Sequence, residues 1–179
     1  KDTCFENSST AGKIARYAWG KDYHNKLTDK LKKLTCFIES LTAEPVSHRT
    51  YVDTGPLLER ELAQRAGLGW IGKNTMLINP NIGSWTFLAE VMLDLKLPFD
   101  DPYMFDRCGS CRLCIDACPT EAILTDGRRI DSNKCISYLT IEHRGLVDPD
   151  KRASLENWLF GCDICQEVCP WNEKFSKIS

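Results

Sequence analysis

Residues 108–119 read CGSCRLCIDACP, which places Cys108, Cys111, Cys114 and Cys118 ahead of Pro119. This spacing, C-x2-C-x2-C-x3-C-P, is typical of the ligand run of a bacterial-type [4Fe–4S] cluster. In two-cluster proteins of this kind, the first three cysteines bind one cubane and the fourth binds the other. The segment therefore predicts an electron-transfer protein with more than one iron–sulfur cluster.

A second, shorter run supplies the remaining ligands. Cys162, Cys165 and Cys169 precede Pro170 and repeat the ending of the first run, and Cys135 lies between the two runs. Eight thiolates suit two cubanes with four cysteines each. We predict two ligand sets, Cys108, Cys111, Cys114 and Cys169 for one cluster and Cys118, Cys135, Cys162 and Cys165 for the other.

Two other uses of the cysteines compete with this prediction. Zinc sites usually combine two C-x2-C pairs across a spacer and need neither a third cysteine nor the proline. A disulfide framework suits short secreted chains, and closely spaced C-x2-C steps bridge poorly with one another. Both are less favoured than two clusters, and zinc is the stronger alternative. Cys4 and Cys36 lie outside the pattern, and Cys36 is expected to be a small buried hydrophobe on a helical stripe.

The composition is that of a folded globular chain. The sequence has 179 residues, of which 42% are hydrophobic and 27% charged. No run approaches the roughly 20 apolar residues that span a membrane, and a net charge of −2 excludes an overall basic footprint for nucleic acid. Clusters and free thiolates favour a reducing compartment, so we expect a cytoplasmic protein.

Helical and strand periodicities alternate ahead of the cysteines. Apolar residues recur at steps of three and four from Leu27 to Leu41 and predict an amphipathic helix. Pro56 suits the first turn of the next helix, and Gly67 suits its end. The predicted elements are helices over 22–41, 57–66, from a cap at Asp131 or Ser132 to Glu142, and over 151–160, with strands over 46–53, 75–78 and 84–95.

This alternation predicts an α/β fold, in which a sheet is flanked by helices. The composition shifts around residues 98–106, just before the first cysteine run. We therefore predict an α/β domain over residues 1–100 and a two-cluster ferredoxin-like module over residues 101–175. Residues 1–10 are polar and are expected to fray.

Several longer segments resemble the epoxyqueuosine reductase family. They are residues 16–17 (RY), 22–24 (DYH), 52–60 (VDTGPLLER), 66–74 (AGLGWIGKN), 83–85 (GSW), 135–140 (CISYLT) and 161–165 (GCDIC). Cysteine runs alone fit many ferredoxin-like modules. The segments around Asp53 and Trp70, together with the interposed Cys135, make the resemblance specific, and it extends from about residue 11 to residue 173.

The resemblance implies a fold similar to that of corrinoid reductive dehalogenases, with cobalamin bound between the α/β domain and the ferredoxin-like module. It implies an oxidoreductase that reduces the epoxide of epoxyqueuosine in tRNA to queuosine, using cob(I)alamin that receives electrons from two [4Fe–4S] clusters. An acid must protonate the departing oxygen. Relative to full-length members, the chain is expected to be truncated at both ends, within the α/β domain and after the clusters.

Asp53 is the predicted acid. It ends a predicted strand, where α/β sheets present functional groups to ligands. A carboxyl group between a corrin face and apolar walls would stay protonated near neutral pH. The alternative is that Asp53 caps the helix after Pro56, and the family resemblance favours catalysis.

Further contacts to cobalamin are carried over from the resemblance: Arg16, Asp53, Lys73, Asn74, Glu142 and Asp163. Apart from Asp53, each has an ordinary surface role as its alternative. Residues 22–24 match only the first half of the base-off corrinoid motif D-x-H-x-x-G, so His24 is expected to pack or hydrogen-bond on a helix. Tryptophans are more often core residues than base-stacking surfaces, which is the expectation for Trp70, Trp85 and Trp158.

The expected substrate is a tRNA anticodon arm that carries epoxyqueuosine. Arg144, Lys151 and Arg152 form a small basic group near the clusters that would neutralise phosphates, with a solvated helix face as the alternative. The other expectations are an electron donor of unidentified kind, no membrane contact and a monomer. Two different functions compete with this one, a corrinoid reductive dehalogenase and a noncatalytic ferredoxin-type carrier, and uptake of a corrinoid would exclude the carrier.

Overall fold

The computed structural model describes residues 11–174, in which short helices and strands are mixed. The strands are β1 (Lys13–Ile14), β2 (His48–Tyr51), β3 (Trp70–Ile71), β4 (Leu77–Ile78), β5 (Glu90–Leu93) and β6 (Trp158–Phe160). The helices are α1 (Tyr23–Leu41), α2 (Glu59–Arg65), α3 (Leu113–Asp116), α4 (Ile136–Ile141), α5 (Pro149–Arg152), α6 (Ile164–Glu167) and α7 (Pro170–Glu173). The predicted mixed α and β class is confirmed, whereas the predictions for Cys4 and residues 1–10 fall outside the described residues.

The strands form three separate pairs. β2 and β5 are antiparallel, with Tyr51 opposite Glu90, and β3 and β4 form a second antiparallel pair. β1 pairs with β6 in parallel, although the two strands come from opposite ends of the described chain. The predicted strand over 84–95 begins only at Glu90 and pairs with β2. Ser84, where the strand was predicted to begin, is bonded instead to the Asn172 side chain.

The long helix α1 agrees with the sequence. The Asp22 side chain accepts the His24 N–H (2.9 Å) and caps the helix, and Leu31 is among its buried residues. The expectation that Cys36 is buried is wrong, since it is exposed. Leu31 and Thr35 mark the buried face, and Cys36 follows one residue later, about 100° farther round the helix.

The start of α2 differs from the predicted start. α2 begins at Glu59 rather than at residue 57, and its cap residue Leu58 makes no side-chain capping bond. Asp53 therefore does not cap this helix, so that alternative is wrong. Gly67 has a φ of 73° just beyond the end of α2, in the left-handed conformation that glycine adopts most easily at helix ends.

The cysteine-rich half departs further from prediction. α4 is preceded by Cys135 rather than by Asp131 or Ser132, and the Asp131 side chain instead accepts the Asn133 N–H in a turn (3.0 Å). The predicted helix over 151–160 ends at residue 155, because Glu156 has a φ of 51°. The chain then enters β6, whose partner β1 lies about 145 residues earlier in the sequence.

Two small buried clusters join the halves of the chain. One contains Ala15, Ile136 and Trp158, and the other contains Trp70 and Cys169 together with Ile78. The core positions expected for Trp70 and Trp158 are confirmed, whereas Trp85 is only partly buried. None of the helices within residues 11–174 combines the length and the apolar character that crossing a membrane requires.

A buried amide provides a third junction between the halves. Asn172 is 2% exposed, and its Oδ1 atom accepts the Ser84 N–H (2.7 Å). Its Nδ2 atom donates to Ser84 Oγ (2.8 Å) and to the Gln166 carbonyl (2.8 Å). Every polar atom of this side chain is therefore used between the segment before β5 and the end of the cysteine-rich half.

Replacing Asn172 with alanine should lower the free energy of unfolding by about 1–3 kcal/mol, because the buried Ser84 N–H would lose its acceptor. Chemical denaturation measures this change. The matched control is Asn133→Ala at an exposed position, for which we expect a change within about 0.5 kcal/mol. Equal effects of the two substitutions would contradict the role assigned to Asn172.

Candidate functional site

The first candidate site is a cavity of about 370 Å³ lined by four of the predicted ligands. These are Cys108, Cys111, Cys114 and Cys169. The first three come from the loop and helix around α3, and the fourth precedes α7. α3 packs against α6, and this packing brings Cys169, at the end of the second cysteine run, close to the first run.

The second candidate site is a cavity of about 230 Å³ lined by the other four predicted ligands. These are Cys118, Cys135, Cys162 and Cys165. Asn74 lines both cavities, so the two cavities lie next to each other. The structure thus brings together the two sets of cysteines that the spacing predicts, with each run contributing to both cavities.

The size of the cavities fits a polynuclear cluster better than a single ion. The ligands of a zinc ion converge on one point, with sulfur atoms about 2.3 Å from the metal. Here the sulfur atoms surround open space, and within residues 11–174 no three Cys, His, Asp or Glu side chains are placed to hold a single metal ion. The donor set and the space between its members are those that cubanes require.

Burial dominates the electrostatics of the thiols. It raises the pKa of Cys114 to about 11, with further repulsion from Cys108 and Cys111, and it raises the pKa of Cys162 to about 12. Cys118 differs because, although burial acts to raise its pKa, hydrogen bonds from Thr120 and from backbone N–H groups lower it. Iron would relieve this repulsion, since metal binding requires deprotonated thiols and supplies positive charge.

The segment after α2 holds the loop of the first cavity. The Trp70 indole N–H donates to the Cys108 sulfur at 3.4 Å. The Lys73 ammonium donates to the carbonyls of Gly109 (2.6 Å) and Cys111 (2.9 Å). A ligand sulfur and two ligand-loop carbonyls are therefore fixed by side chains from outside the cysteine-rich half.

The second cavity is held in a similar way. The buried Asn74 side chain donates to the Cys165 carbonyl (3.2 Å). Asp163, which is 3% exposed, accepts the Arg16 N–H (2.7 Å). Burial raises the pKa of Asp163, and the Arg16 contact acts against that rise. These bonds connect the second cysteine run to Arg16, which lies before α1, and to Asn74, which lies after α2.

These contacts bear on the predicted cobalamin ligands. Lys73 and Asn74 donate to carbonyls of the cysteine loops, whereas Asp163 accepts the Arg16 N–H. Glu142 is exposed at the end of α4. The Arg16 guanidinium lies 4.8 Å from the ring centre of Trp85 and 5.7 Å from that of Trp19. Contact of these residues with cobalamin stays a prediction.

Asp53 lies in a loop between β2 and α2 and has a φ of 61°. Its Oδ2 atom accepts the Tyr23 hydroxyl (2.8 Å) and lies 3.7 Å from His24 Nε2. The Asp53 N–H donates to Glu59 Oε1 (2.7 Å). The Asp53 side chain is 61% exposed, and its expected place against a corrin face stays a prediction.

The sequence missed two of these partners. Tyr23 was visible only as part of the DYH segment, and Glu59 only as part of the segment 52–60 and of the predicted helix over 57–66. His24 does hydrogen-bond on its helix as expected, since its Nδ1 atom lies 2.8 Å from Asp22 Oδ1. Only the folding of α1 over the end of β2 brings Tyr23 and Asp53 together, because they are 30 residues apart.

An aromatic face, formed by Tyr17, Tyr23, Phe87 and Phe160, connects Asp53 with the second cavity. Tyr17 lines that cavity, and its ring centre lies 6.1 Å from that of Tyr23 and 5.9 Å from that of Phe160. Phe87 stacks on Tyr23 at 4.4 Å. Tyr17, Phe87 and Phe160 are all exposed, which makes this face suitable for a flat, largely apolar ligand.

The predicted basic group lies at the turn that leads into α5 and within that helix. Lys151 donates to the Asn133 carbonyl (3.3 Å), and Arg152 donates to the Val147 carbonyl (2.9 Å). Arg144 and Arg152 are exposed. Two of the three cationic side chains therefore also hydrogen-bond to backbone carbonyls. Contact of this group with tRNA stays a prediction.

Comparison with known families identifies both parts of the chain. Residues 107–172 match the family model of a 4Fe-4S double cluster binding domain, which confirms the prediction of two iron–sulfur clusters. Residues 1–54 match the model described as epoxyqueuosine reductase QueG, DUF1730.

Individual proteins give the same result over most of the chain. The epoxyqueuosine reductase of Cyclobacterium marinum is 53% identical over 173 residues, which are 96% of this chain and 54% of that protein. A crystal structure of epoxyqueuosine reductase with an epoxyqueuosine-modified tRNA-Tyr stem loop has a TM-score of 0.84 and 41% identity, covering 90% of this chain and 42% of that one. The chain spans about half the length of the curated relatives it matches.

A more distant likeness is to a reductive dehalogenase whose structure suggests a mechanism for B12-dependent dehalogenation. Its TM-score is 0.53 at 25% identity, covering 71% of this chain and 18% of that one. The competing prediction of a dehalogenase therefore receives much weaker support than the epoxyqueuosine reductase prediction.

Changing Cys118 to serine should damage the cluster of the second cavity and leave the other intact, because Cys118 lines only that cavity. Iron content and electron paramagnetic resonance of the anaerobically reconstituted protein measure the loss. Cys114→Ser is the matched control and should give the opposite result. If Cys118→Ser removed the signal that Cys114→Ser also removes, our ligand partition would be wrong.

Replacing Trp70 with phenylalanine should shift the reduction potential of the first cluster to a more negative value, because a hydrogen bond to a ligand sulfur stabilises the reduced cluster. Spectroelectrochemistry on the reconstituted protein measures both clusters. Tyr103→Phe is the control, since it keeps a ring stacked on Trp70 (5.7 Å) and removes a hydroxyl that has no hydrogen-bond partner among residues 11–174. An unchanged potential in Trp70→Phe would contradict this prediction.

Proposed function

This chain belongs to the epoxyqueuosine reductase family, and we propose that it is the cofactor-binding part of an enzyme that reduces the epoxide of epoxyqueuosine in tRNA to the alkene of queuosine. The main support for the proposal is the arrangement of the two cavities, the aromatic face and Asp53. Two four-cysteine cavities lie side by side, and the aromatic face leads from the second of them to Asp53.

The cysteines have the electron-transfer role. Cys108, Cys111, Cys114 and Cys169 hold one [4Fe–4S] cluster, and Cys118, Cys135, Cys162 and Cys165 hold the other. Because Asn74 lines both cavities, the two clusters would lie close enough for electrons to pass between them. An external donor would supply these electrons, and the second cluster would deliver them because Tyr17 of the aromatic face lines its cavity.

The aromatic face is the proposed site for cobalamin. It is exposed, apolar and next to both the second cavity and Asp53, which are the properties that a flat macrocycle would need there. Arg16, directly before Tyr17, is the carried-over contact next to this face. When bound, cobalamin supplies the low-potential chemistry at carbon that no amino acid side chain provides.

Asp53 has the acid role in this proposal. Tyr23 engages Oδ2 and fixes the direction of the carboxyl group, while the side chain stays 61% exposed to an incoming substrate. A protonated Asp53 would deliver its proton to the oxygen that leaves carbon when the epoxide opens. His24, 3.7 Å from the same oxygen, is placed to assist reprotonation.

The tRNA substrate follows from the family. A neighbouring structure contains an epoxyqueuosine-modified stem loop, and Arg144, Lys151 and Arg152 are the candidates for phosphate contacts near the clusters. We also propose the division into residues 1–100 and 101–175, which the separate family matches support, and a cytoplasmic monomer. A noncatalytic carrier would have no use for the bonded Asp53 and Tyr23 pair or for the open aromatic face.

Changing Asp53 to asparagine, in a protein of full family length, should lower epoxide reduction by about 100-fold or more, because the amide cannot donate an acid proton. Conversion of epoxyqueuosine in a tRNA stem loop, followed by mass spectrometry, measures the rate. Cluster and cobalamin content should not change. Asp29→Asn, an exposed substitution on α1, is the matched control, and full activity of Asp53→Asn would exclude Asp53 as the acid.

A further inference from the structure

The two cysteine cavities differ in the charge of their walls. Lys73, Arg107 and Lys174 line the first cavity, and within residues 11–174 no Asp or Glu joins them. The second cavity is different, since Asp163 is its one charged lining residue in that range. The whole chain has a net charge of −2, so the cations around the first cavity are a local feature.

Two of these three cations are open to solvent. The Lys73 ammonium donates to the Gly109 and Cys111 carbonyls and is used within the ligand loop. Arg107 and Lys174 are exposed, and each cationic group lies 6.0 Å from the ring centre of Trp171. Contact with the ring holds both side chains beside the cavity while their charges stay in water.

Acidic residues near in sequence do not cancel these charges. Asp106 accepts the Cys108 N–H (2.9 Å) and pairs with Arg128. Arg107 itself forms no ion pair within residues 11–174. Glu173 is exposed, but it does not line the cavity. A positive field therefore remains at the opening of the first cavity.

Apolar side chains lie between the two cations. Leu113 is 50% exposed, Pro170 is exposed and Trp171 is partly exposed, and all three line the first cavity. Trp171 contacts Trp70 edge-on at 5.0 Å between ring centres, and the Trp70 N–H donates to the Cys108 sulfur (3.4 Å). An apolar centre with a charged rim is the anatomy of a protein–protein interface, and electron-transfer complexes use small ones.

We propose that an acidic one-electron carrier protein docks on Leu113, Pro170 and Trp171 and on the cations Arg107 and Lys174, a set that we call the entry surface. Acidic groups of the carrier would face the two cations, and its redox centre would lie over the apolar side chains. One electron passes from the reduced carrier to the first cluster, so the carrier is oxidised and no covalent bond forms or breaks. The assignment rests on the proposed function, in which the second cluster faces cobalamin and the first is left for the donor.

Two other uses of the same cations predict different behaviour. A tRNA backbone would use the positive charges, but it has no need of an apolar centre beside a cluster. Cations that only balance the negative charge of the cluster would change its reduction potential, and they would affect every electron donor alike.

Stopped-flow reduction of the cluster-loaded protein, without cobalamin or tRNA, tests the proposal. The probe is a reduced plant-type [2Fe–2S] ferredoxin, which is an acidic carrier of low potential. Its second-order rate constant should fall as the salt concentration rises, because salt screens the attraction between opposite charges. Reduced methyl viologen, a small cation, is the comparison donor, and its rate constant should not fall.

Charge removal locates the surface. Arg107→Gln should lower the rate constant with ferredoxin by about threefold at low salt, and the double variant with Lys174→Gln by about tenfold, with a weaker salt dependence in both. The matched control is Lys134→Gln, an exposed lysine beside Cys135 that lines neither cavity. It should keep the rate constant and the salt dependence of the unsubstituted protein. Iron content should be the same in all variants.

Three results would overturn the docking proposal. One is a rate constant with ferredoxin that does not depend on salt or does not change in the double variant. Another is equal slowing with ferredoxin and methyl viologen, since the cations would then act on the cluster itself. The third is weaker binding of a tRNA stem loop by the double variant at an unchanged ferredoxin rate, which would assign the cations to phosphate. A failure to bind cobalamin would remove the proposed function while leaving the ferredoxin result intact.

Discussion

The structure depends on the crossing of its two cysteine runs. Cys169 leaves its own run to complete the first cavity, and Cys118 leaves the first run to complete the second. Neither cavity can form from one contiguous segment, so the helices around each run must pack together before either ligand set is complete. Ordering these loops is costly in conformational entropy, and cluster binding, which acts only on the assembled ligand set, offsets this cost.

The segment from Trp70 to Asn74 is the support that the rest of the chain gives to this crossing. Trp70 bonds a ligand sulfur of the first cavity, Lys73 bonds its loop, and Asn74 bonds the loop of the second. The glycine at position 69 is explained by local packing, since a Cβ atom there would collide with the Ile78 carbonyl. The charged and polar residues of this segment therefore bond the cysteine loops, and the contacts of Lys73 and Asn74 with cobalamin that the family resemblance implies stay a prediction.

The predictions succeeded where the signal was local. The cysteine spacing indicates a loop that wraps a metal cluster, and the apolar period of α1 indicates a helix with one buried face. Both signals lie in residues that are close together in the sequence. β6 was mistaken for a helix because its identity depends on β1, at the other end of the described chain. Tyr23 was missed as a partner of Asp53 for the same reason, since it reaches the loop from α1, 30 residues earlier in the sequence.

In the proposed reaction, reductive opening of an epoxide needs electrons and a proton at one place, and the chain would hold the groups that supply them by different means. The cysteine cavities are fixed by buried side chains such as Asn74 and Asp163. Asp53 is exposed and strained and depends on single hydrogen bonds from Tyr23 and to Glu59. A rigid environment suits electron transfer, which needs little movement, whereas an acid that must meet a tRNA base and be reprotonated benefits from a loop that can open.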